Sequence, residues 1–213
     1  CLDFCPIDLN SNLYLYEKNF AYFTGELGIT DSSEVWLERA AHRKALLKKY
    51  CYNSSDKLYY DYDYVNGRQS DVVSAAIFSL MYAKVVDQSE ADDLIKALDK
   101  LEFEYGISTC ENRDYQYFYQ WSYPNGWAPL QYLAVRGLDN YGFKNEAQRI
   151  ASKYVDMVTN TYKTTGHLWE KYNIRKGNAD VRNEYEMPTM LGWSAGVYVY
   201  LTDYLDNGFK VKR

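Results

Sequence analysis

Glu170 lies in the run Trp169-Glu170-Lys171-Tyr172-Asn173, with rings on both sides. Most glutamates are solvated surface charges, so its neighbours single this one out. Rings beside a carboxyl exclude water and favour its protonated form, which readies it for proton transfer. A second carboxyl, Glu184, stands before Tyr185, and Trp193 follows Gly192 a little further on. Upstream, Gln120-Trp121-Ser122-Tyr123-Pro124-Asn125-Gly126-Trp127-Ala128-Pro129 puts two tryptophans, two prolines and a glycine in one stretch. That composition makes a rigid platform, or simply a turn that caps a helix.

The wider composition narrows the chemistry. Acids outnumber bases, 29 to 24, for a net charge of -5, which argues against nucleic acid as partner. The 24 tyrosines suit wet clefts and interfaces, including sugar-binding ones, because a ring offers an apolar face and a polar tip. Cys1, Cys5, Cys51 and Cys110 lack paired spacing, and His42 and His167 stand far from them. A zinc site is therefore not expected, nor any cofactor. The cysteines could form two bridges or remain thiols. The longest uncharged run, Met187–Thr202, holds Pro188 and two glycines; it is too short to span a bilayer. No basic-then-apolar leader opens the chain. The sequon Asn53-Ser54-Ser55 leans toward secretion.

Helices must position these residues. Leu13, Tyr16, Phe20, Phe23 and Leu27 recur at helical steps after Asp8, a candidate cap. Asp31 with Glu34 reads as a capping box for a second helix. Leu58–Val65 before Asn66-Gly67 predicts a hairpin. Ser70–Val86 reads as a buried helix, and Ser89 as the cap of the next. Pro129 suits the first turn of a further helix. Asn145 precedes the stripe Ala147, Ile150, Ala151, Tyr154, Val158, Tyr162. Val197–Tyr200 looks strand-like, but its setting favours a helix over Trp193–Leu205. The sum is about seven helices of roughly 13–20 residues, paired by short turns and separated by long loops. This predicts an all-α single domain over 1–213, either a toroid of helical hairpins or a compact bundle, with the site in the loops on one face.

Several ordered motifs resemble the trehalase family, glycoside hydrolase family 37. Pro6-Ile7-Asp8-Leu9-Asn10 resembles its P-V-D-L-N. Tyr60-Asp61-Tyr62-Asp63 and Ser74-Ala75-Ala76 resemble the stretch after its second helix. Gln120–Gln131 is similar to Q-W-D-x-P-N-G-W-A-P-L-Q, and Gly137–Gly142 to the segment next after that signature. Trp169–Asn173 resembles the segment with E-K-Y-D/N. The resemblance runs from Pro6 to Leu205. It implies the C-terminal half of an (α/α)6 barrel that hydrolyses α,α-trehalose with inversion. Such chemistry uses two carboxyl groups, about 6.5–9.5 Å apart, one as acid and one as base to the attacking water. By resemblance Glu170 is the base and Glu184 a sugar-binding carboxylate. Trp121, Asn125, Trp127 and Trp193 would line or brace the cleft.

The departures are also specific. The family's G-W-D-F-S, which bears the general acid, lies upstream of P-V-D-L-N and has no counterpart here; Asp3-Phe4 is a poor stand-in. Ser122 replaces the signature Asp. The glycine-rich run before E-Y is Gly177–Asn183, and Q-x-G-F-G-W-T-N-G becomes Pro188–Gly196. Substrate could be trehalose or another α-glucoside. The rival reading is an inactive domain that binds a sugar or a protein. Half a barrel would also expose an apolar wall, which predicts pairing with a complementary N-terminal segment or a homodimer.

Overall fold

A computed structural model describes residues 2–113, 119–181, 184–189 and 192–208, without the side chains of Thr30 and Asp31. Cys1, Asn183, Met190 and Leu191 and the Asp31 capping box therefore lie outside the described residues.

The chain opens with β1 (Phe4–Cys5), α1 (Ile7–Glu26) and α2 (Thr30–Cys51). Then come β2 (Tyr52–Asn53), β3 (Leu58–Tyr59), β4 (Tyr62–Asp63) and β5 (Arg68–Gln69). Helices α3 (Ile77–Tyr82), α4 (Gln88–Leu94) and α5 (Leu98–Leu101) come next, the last two joined by a 3-10 turn. Strands β6 (Glu102–Phe103), β7 (Gly106–Ile107) and β8 (Asn125–Trp127) lead into α6 (Ala128–Asn140) and α7 (Lys144–Thr165). Strand β9 (Lys171–Asn173) and α8 (Gly192–Asn207) complete the described elements. The long helices pair through short turns, α1 with α2 and α6 with α7, while α3 and α8 pack on α6. The strands are short and antiparallel: β1-β4-β5, β2-β3, β6-β7 and β8-β9.

Most helices lie where the hydrophobic spacing puts them. Pro129 sits in the first turn of α6, where a missing N–H costs nothing. Ala147, Ile150, Ala151, Tyr154 and Val158 of α7 are buried, and Gly166 ends that helix in the left-handed region at φ 72°. The Asn66-Gly67 turn closes β4 on β5, and the strand-like run Val197–Tyr200 is helical within α8.

Other expectations are corrected. Asp8 lies inside the first turn of α1, whose cap is Pro6. Asn145 likewise falls inside α7, capped by Phe143, and Tyr162 on that helix is exposed. Helix α4 is capped by Asp87 rather than Ser89, because Glu90 then falls at the third position and completes a capping box. The helix expected over Ser70–Val86 is only α3. Residues before it are extended, since Val73 and Ala75 share backbone hydrogen bonds with Glu111 and Thr109.

The largest correction concerns α1. Tyr16, Phe20, Phe23 and Leu27 are exposed, whereas Ile7, Ser11, Glu17 and Ala21 are buried. Helix α2 takes up Phe20 only in part, through a ring stack with Trp36 at 4.8 Å. Nothing else among the described residues covers that stripe, so the hairpin shows an apolar side to water, with Tyr22, Ile29 and Val35 adding to it. Cys5, Cys51 and Cys110 are free thiols, and burial pushes the Cys51 thiol up to about 12.

Two contacts fix the loops that carry the site. Gln131, wholly buried on α6, donates to Ile107 O at 2.6 Å and accepts from Ile107 N at 2.8 Å. Its amide thus serves β7 as a strand neighbour would. Glu102 on β6 accepts two hydrogen bonds from Arg149 at 2.8 Å and one from Lys153 at 2.7 Å, both on α7. Burial works to raise the Glu102 carboxyl, but the two cations outweigh it and hold it below its usual value.

This packing can be tested at two points. A Cβ at Gly126 would meet Ile174 Cγ2 at 2.2 Å and Ile107 O at 2.9 Å. Gly126→Ala should therefore cost about 1–3 kcal/mol in denaturant unfolding by overpacking; an unchanged midpoint would contradict this. Because the Glu102 carboxyl is depressed in the fold, its stabilisation is full above the unfolded value of about 4.3 and is lost as pH falls through the lower folded value. Glu102→Gln should flatten the fall of melting temperature over that acid range, and parallel curves would argue otherwise.

Candidate active site

The two motifs singled out in the sequence are far apart along the chain and adjacent in space. Strand β8 pairs with β9 so that Asn125 faces Asn173, Gly126 faces Tyr172 and Trp127 faces Lys171. Gly126 permits this: no side chain could fit between its backbone and Ile174. The ladder extends through Ile174 N donating to Pro124 O at 3.0 Å. Asn173 ties the adjoining turn, donating to Asp180 O at 2.7 Å and accepting from Arg175 N and Lys176 N.

On this ladder stands an aromatic cluster. Trp121 stacks on Trp127 at 4.0 Å with planes 2° apart, and Trp193 meets Trp127 edge-on at 5.7 Å. Trp127 is 1% exposed, while Trp121 and Trp193 are 47% and 40% exposed. The buried ring is thus a base on which two open rings are fixed. Asn125 Nδ2 and Trp127 Nε1 both donate to Gln120 O, at 3.0 and 3.1 Å, which folds the loop back on itself. Ser194 Oγ donates to Trp169 O at 2.6 Å and fastens the start of α8 beside β9.

Glu170 lies at the entry to β9 and is 8% exposed. Lys171, 0% exposed, donates to Glu170 Oε2 at 2.7 Å and to Tyr185 Oη at 3.1 Å. The Tyr185 hydroxyl donates to the same Oε2. The Lys171 ammonium also stands 4.7 Å from the centre of the Trp127 ring and 4.4 Å from that of Tyr185, a cation–π setting that offsets its loss of water. Burial and the neighbouring carboxylates of Glu170 and Glu184 push the Tyr185 phenol up to about 12, so it remains a donor at neutral pH.

Among the described residues, Glu170 Oε1 accepts no hydrogen bond. It is not sealed either, because the described buried side-chain atoms lacking a partner are Ser108 Oγ and Tyr154 Oη. One oxygen of the carboxylate is therefore anchored and the other reaches solvent. A fixed, open carboxylate oxygen beside rings can take a proton from a water held against it.

The structure brings together Glu170, Trp121, Asn125, Trp127 and Trp193. Glu184 is exposed and, among the described residues, has no hydrogen bond or ion pair; its neighbour Tyr185 is the residue that reaches Glu170. The sequence neighbours of Glu170 do less than their spacing suggests. Tyr172 turns into the core against Tyr154, and Trp169 Nε1 donates to Thr165. Sequence reasoning did not single out Lys171 and Tyr185 as partners of Glu170. Both lie inside motifs already singled out, but nothing in their spacing shows that they converge on one oxygen.

The sequence model of the family described as "Trehalase" matches residues 1–206. A probable trehalase of Eremothecium gossypii is 35% identical over 206 residues, covering 87% of this chain and 28% of that protein. The solved neutral trehalase of Saccharomyces cerevisiae superposes with a TM-score of 0.84 at 30% identity, over 97% of this chain and 39% of that one. A mannosylglycerate hydrolase of Thermus thermophilus superposes with a TM-score of 0.73 at 18% identity, covering 93% of this chain and 46% of the other, which is a likeness of fold. The architecture is thus part of the (α/α)6 toroid of these hydrolases, with small antiparallel β pieces. The chain spans only about a third of the curated relatives it matches. With the platform and the glutamate strand joined in one ladder, and the match running over nearly every residue, this chain belongs to the trehalase family.

Proposed function

We propose that these residues form the C-terminal half of an inverting hydrolase of α,α-trehalose or a related α-glucoside, with Glu170 as general base. The observation that carries this reading is the open oxygen of an otherwise anchored, nearly buried carboxylate. A water on Oε1 would lose its proton to Glu170 as it attacks the anomeric carbon. The acid that protonates the leaving oxygen stands across the sugar, about 6.5–9.5 Å away, and comes from outside these residues. Trp121 and Trp193 offer ring faces on which a sugar's C–H face stacks. Trp127 and Asn125 brace the platform from beneath, and Glu184 would swing toward a sugar hydroxyl. The whole of 1–213 acts as one domain in this reading.

Glu170→Gln keeps the size of the side chain and removes its basicity. In a complete trehalase carrying these residues it should lower kcat by about 10²–10⁴-fold with the melting temperature little changed. Near-normal glucose release would end the assignment.

A second reading, a domain that binds sugar without turnover, draws on Ser122. It replaces the family's Asp in the platform and is buried, its hydroxyl donating to Tyr119 O at 2.6 Å. Calorimetric binding of trehalose by the complete protein without product favours that reading; turnover excludes it.

The exposed side of α1 and α2 belongs, in this proposal, against the remaining helices of the barrel. Exposed apolar patches beyond about 300–600 Å² are rare on monomers. Light scattering on the isolated chain should show self-association that is relieved by a complementary N-terminal segment. A stable monodisperse monomer would contradict this.

A further inference from the structure

The ion pair beneath Glu170 is unusual in its asymmetry. Both hydrogen bonds that the carboxylate accepts fall on Oε2. Lys171 is wholly buried, and a buried ammonium persists only where partners replace its water. Its partners here are Glu170, the Tyr185 hydroxyl and two ring faces. The two oxygens are therefore in different settings: Oε2 is held by two protein donors, and Oε1 is open to water.

We infer that Lys171 and Tyr185 are positioning residues for the proton transfer: together they pin Oε2 and leave Oε1 as the atom that takes the proton from water. The inference rests on the reading of Glu170 as base and deepens it. Two donors on one oxygen fix the rotation of the carboxylate plane. Pinning Oε2 directs the free lone pairs of Oε1 to one place, as a single attacking water needs. Lys171 does this from the strand itself, one residue past Glu170. Tyr185 does it from the 184–189 segment, so the two elements must be docked for the clamp to close.

Among the described residues, the titratable side chains in hydrogen-bond contact with the carboxylate are Lys171 and Tyr185. Lys171 stands on its own strand, and Tyr185 on the segment packed against it. Glu184 acts on Tyr185 through its charge. From β8 the residue beside Lys171 is Trp127, and from α8 come Trp193 and Ser194, none of them ionisable at working pH.

The test uses a complete trehalase carrying these residues and three variants, Glu170→Gln, Lys171→Met and Tyr185→Phe. Lys171→Met should shift the acid limb of kcat/KM upward by about one pH unit or more and lower kcat. Tyr185→Phe keeps the ring over Lys171 and removes one donor; it should shift the limb less, in the same direction, with kcat down about tenfold and KM nearly unchanged. Should Lys171→Met fail to fold, Tyr185→Phe decides alone. An inactive Glu170→Gln beside a Tyr185→Phe enzyme with the parent's acid limb overturns the positioning role and leaves the base intact. An active Glu170→Gln overturns the base, and the inference falls with it.

Discussion

A three-residue antiparallel ladder, β8 on β9, is the constraint on which the site depends. It joins a tryptophan platform to a glutamate strand that the chain separates by two long helices. Its closeness requires Gly126, where the partner strand's Ile174 fills the place of a side chain. Gln131 supports it from α6 by acting as a strand neighbour to Ile107, and Thr109 secures it from the other side by donating to Asn125 O at 2.8 Å. Backbone pairing and buried polar side chains thus hold the ladder from both sides.

Charge is handled with equal economy. A buried ion pair is seldom a net source of stability, since taking two charges from water costs more than their attraction returns unless other partners help. Lys171 has such help from the Tyr185 hydroxyl and from two rings, and Glu170 keeps one oxygen in contact with solvent. An arrangement of this kind is better suited to fixing orientation than to holding the fold. The fold is held elsewhere, by a core cluster that runs from Ile7 to Tyr204 and centres on α3, α6 and α7.

Much of this is legible in the residues. The stripe on α7, the proline opening α6, the Asn-Gly hairpin and the helical nature of Trp193–Leu205 all obey local rules. The failures have different causes: a local capping box moves the start of α4, and elsewhere partners distant in sequence decide. Residues before α3 are apolar and small enough for a helix, yet Glu111 and Thr109 claim their backbone groups. The stripe on α1 is apolar as its spacing implies, yet among the described residues little beyond Trp36 packs on it, and it is exposed. In the candidate site, residue types and motifs single out Glu170 and the tryptophans, which the structure brings close together. The convergence of Lys171 and Tyr185 on one oxygen is invisible in the sequence, because no periodicity links a strand to a loop fourteen residues away.

The central claim is that a single oxygen of Glu170 is the proton acceptor. The most direct measurement is a crystal structure of a complete trehalase carrying these residues, bound to an unreactive trehalose analogue. The account predicts an ordered water about 2.6–3.2 Å from Oε1, facing the anomeric carbon, with Oε2 still held by Lys171 and Tyr185. Oε1 turned onto a protein donor, with the anomeric carbon far from any water on Glu170, would contradict it.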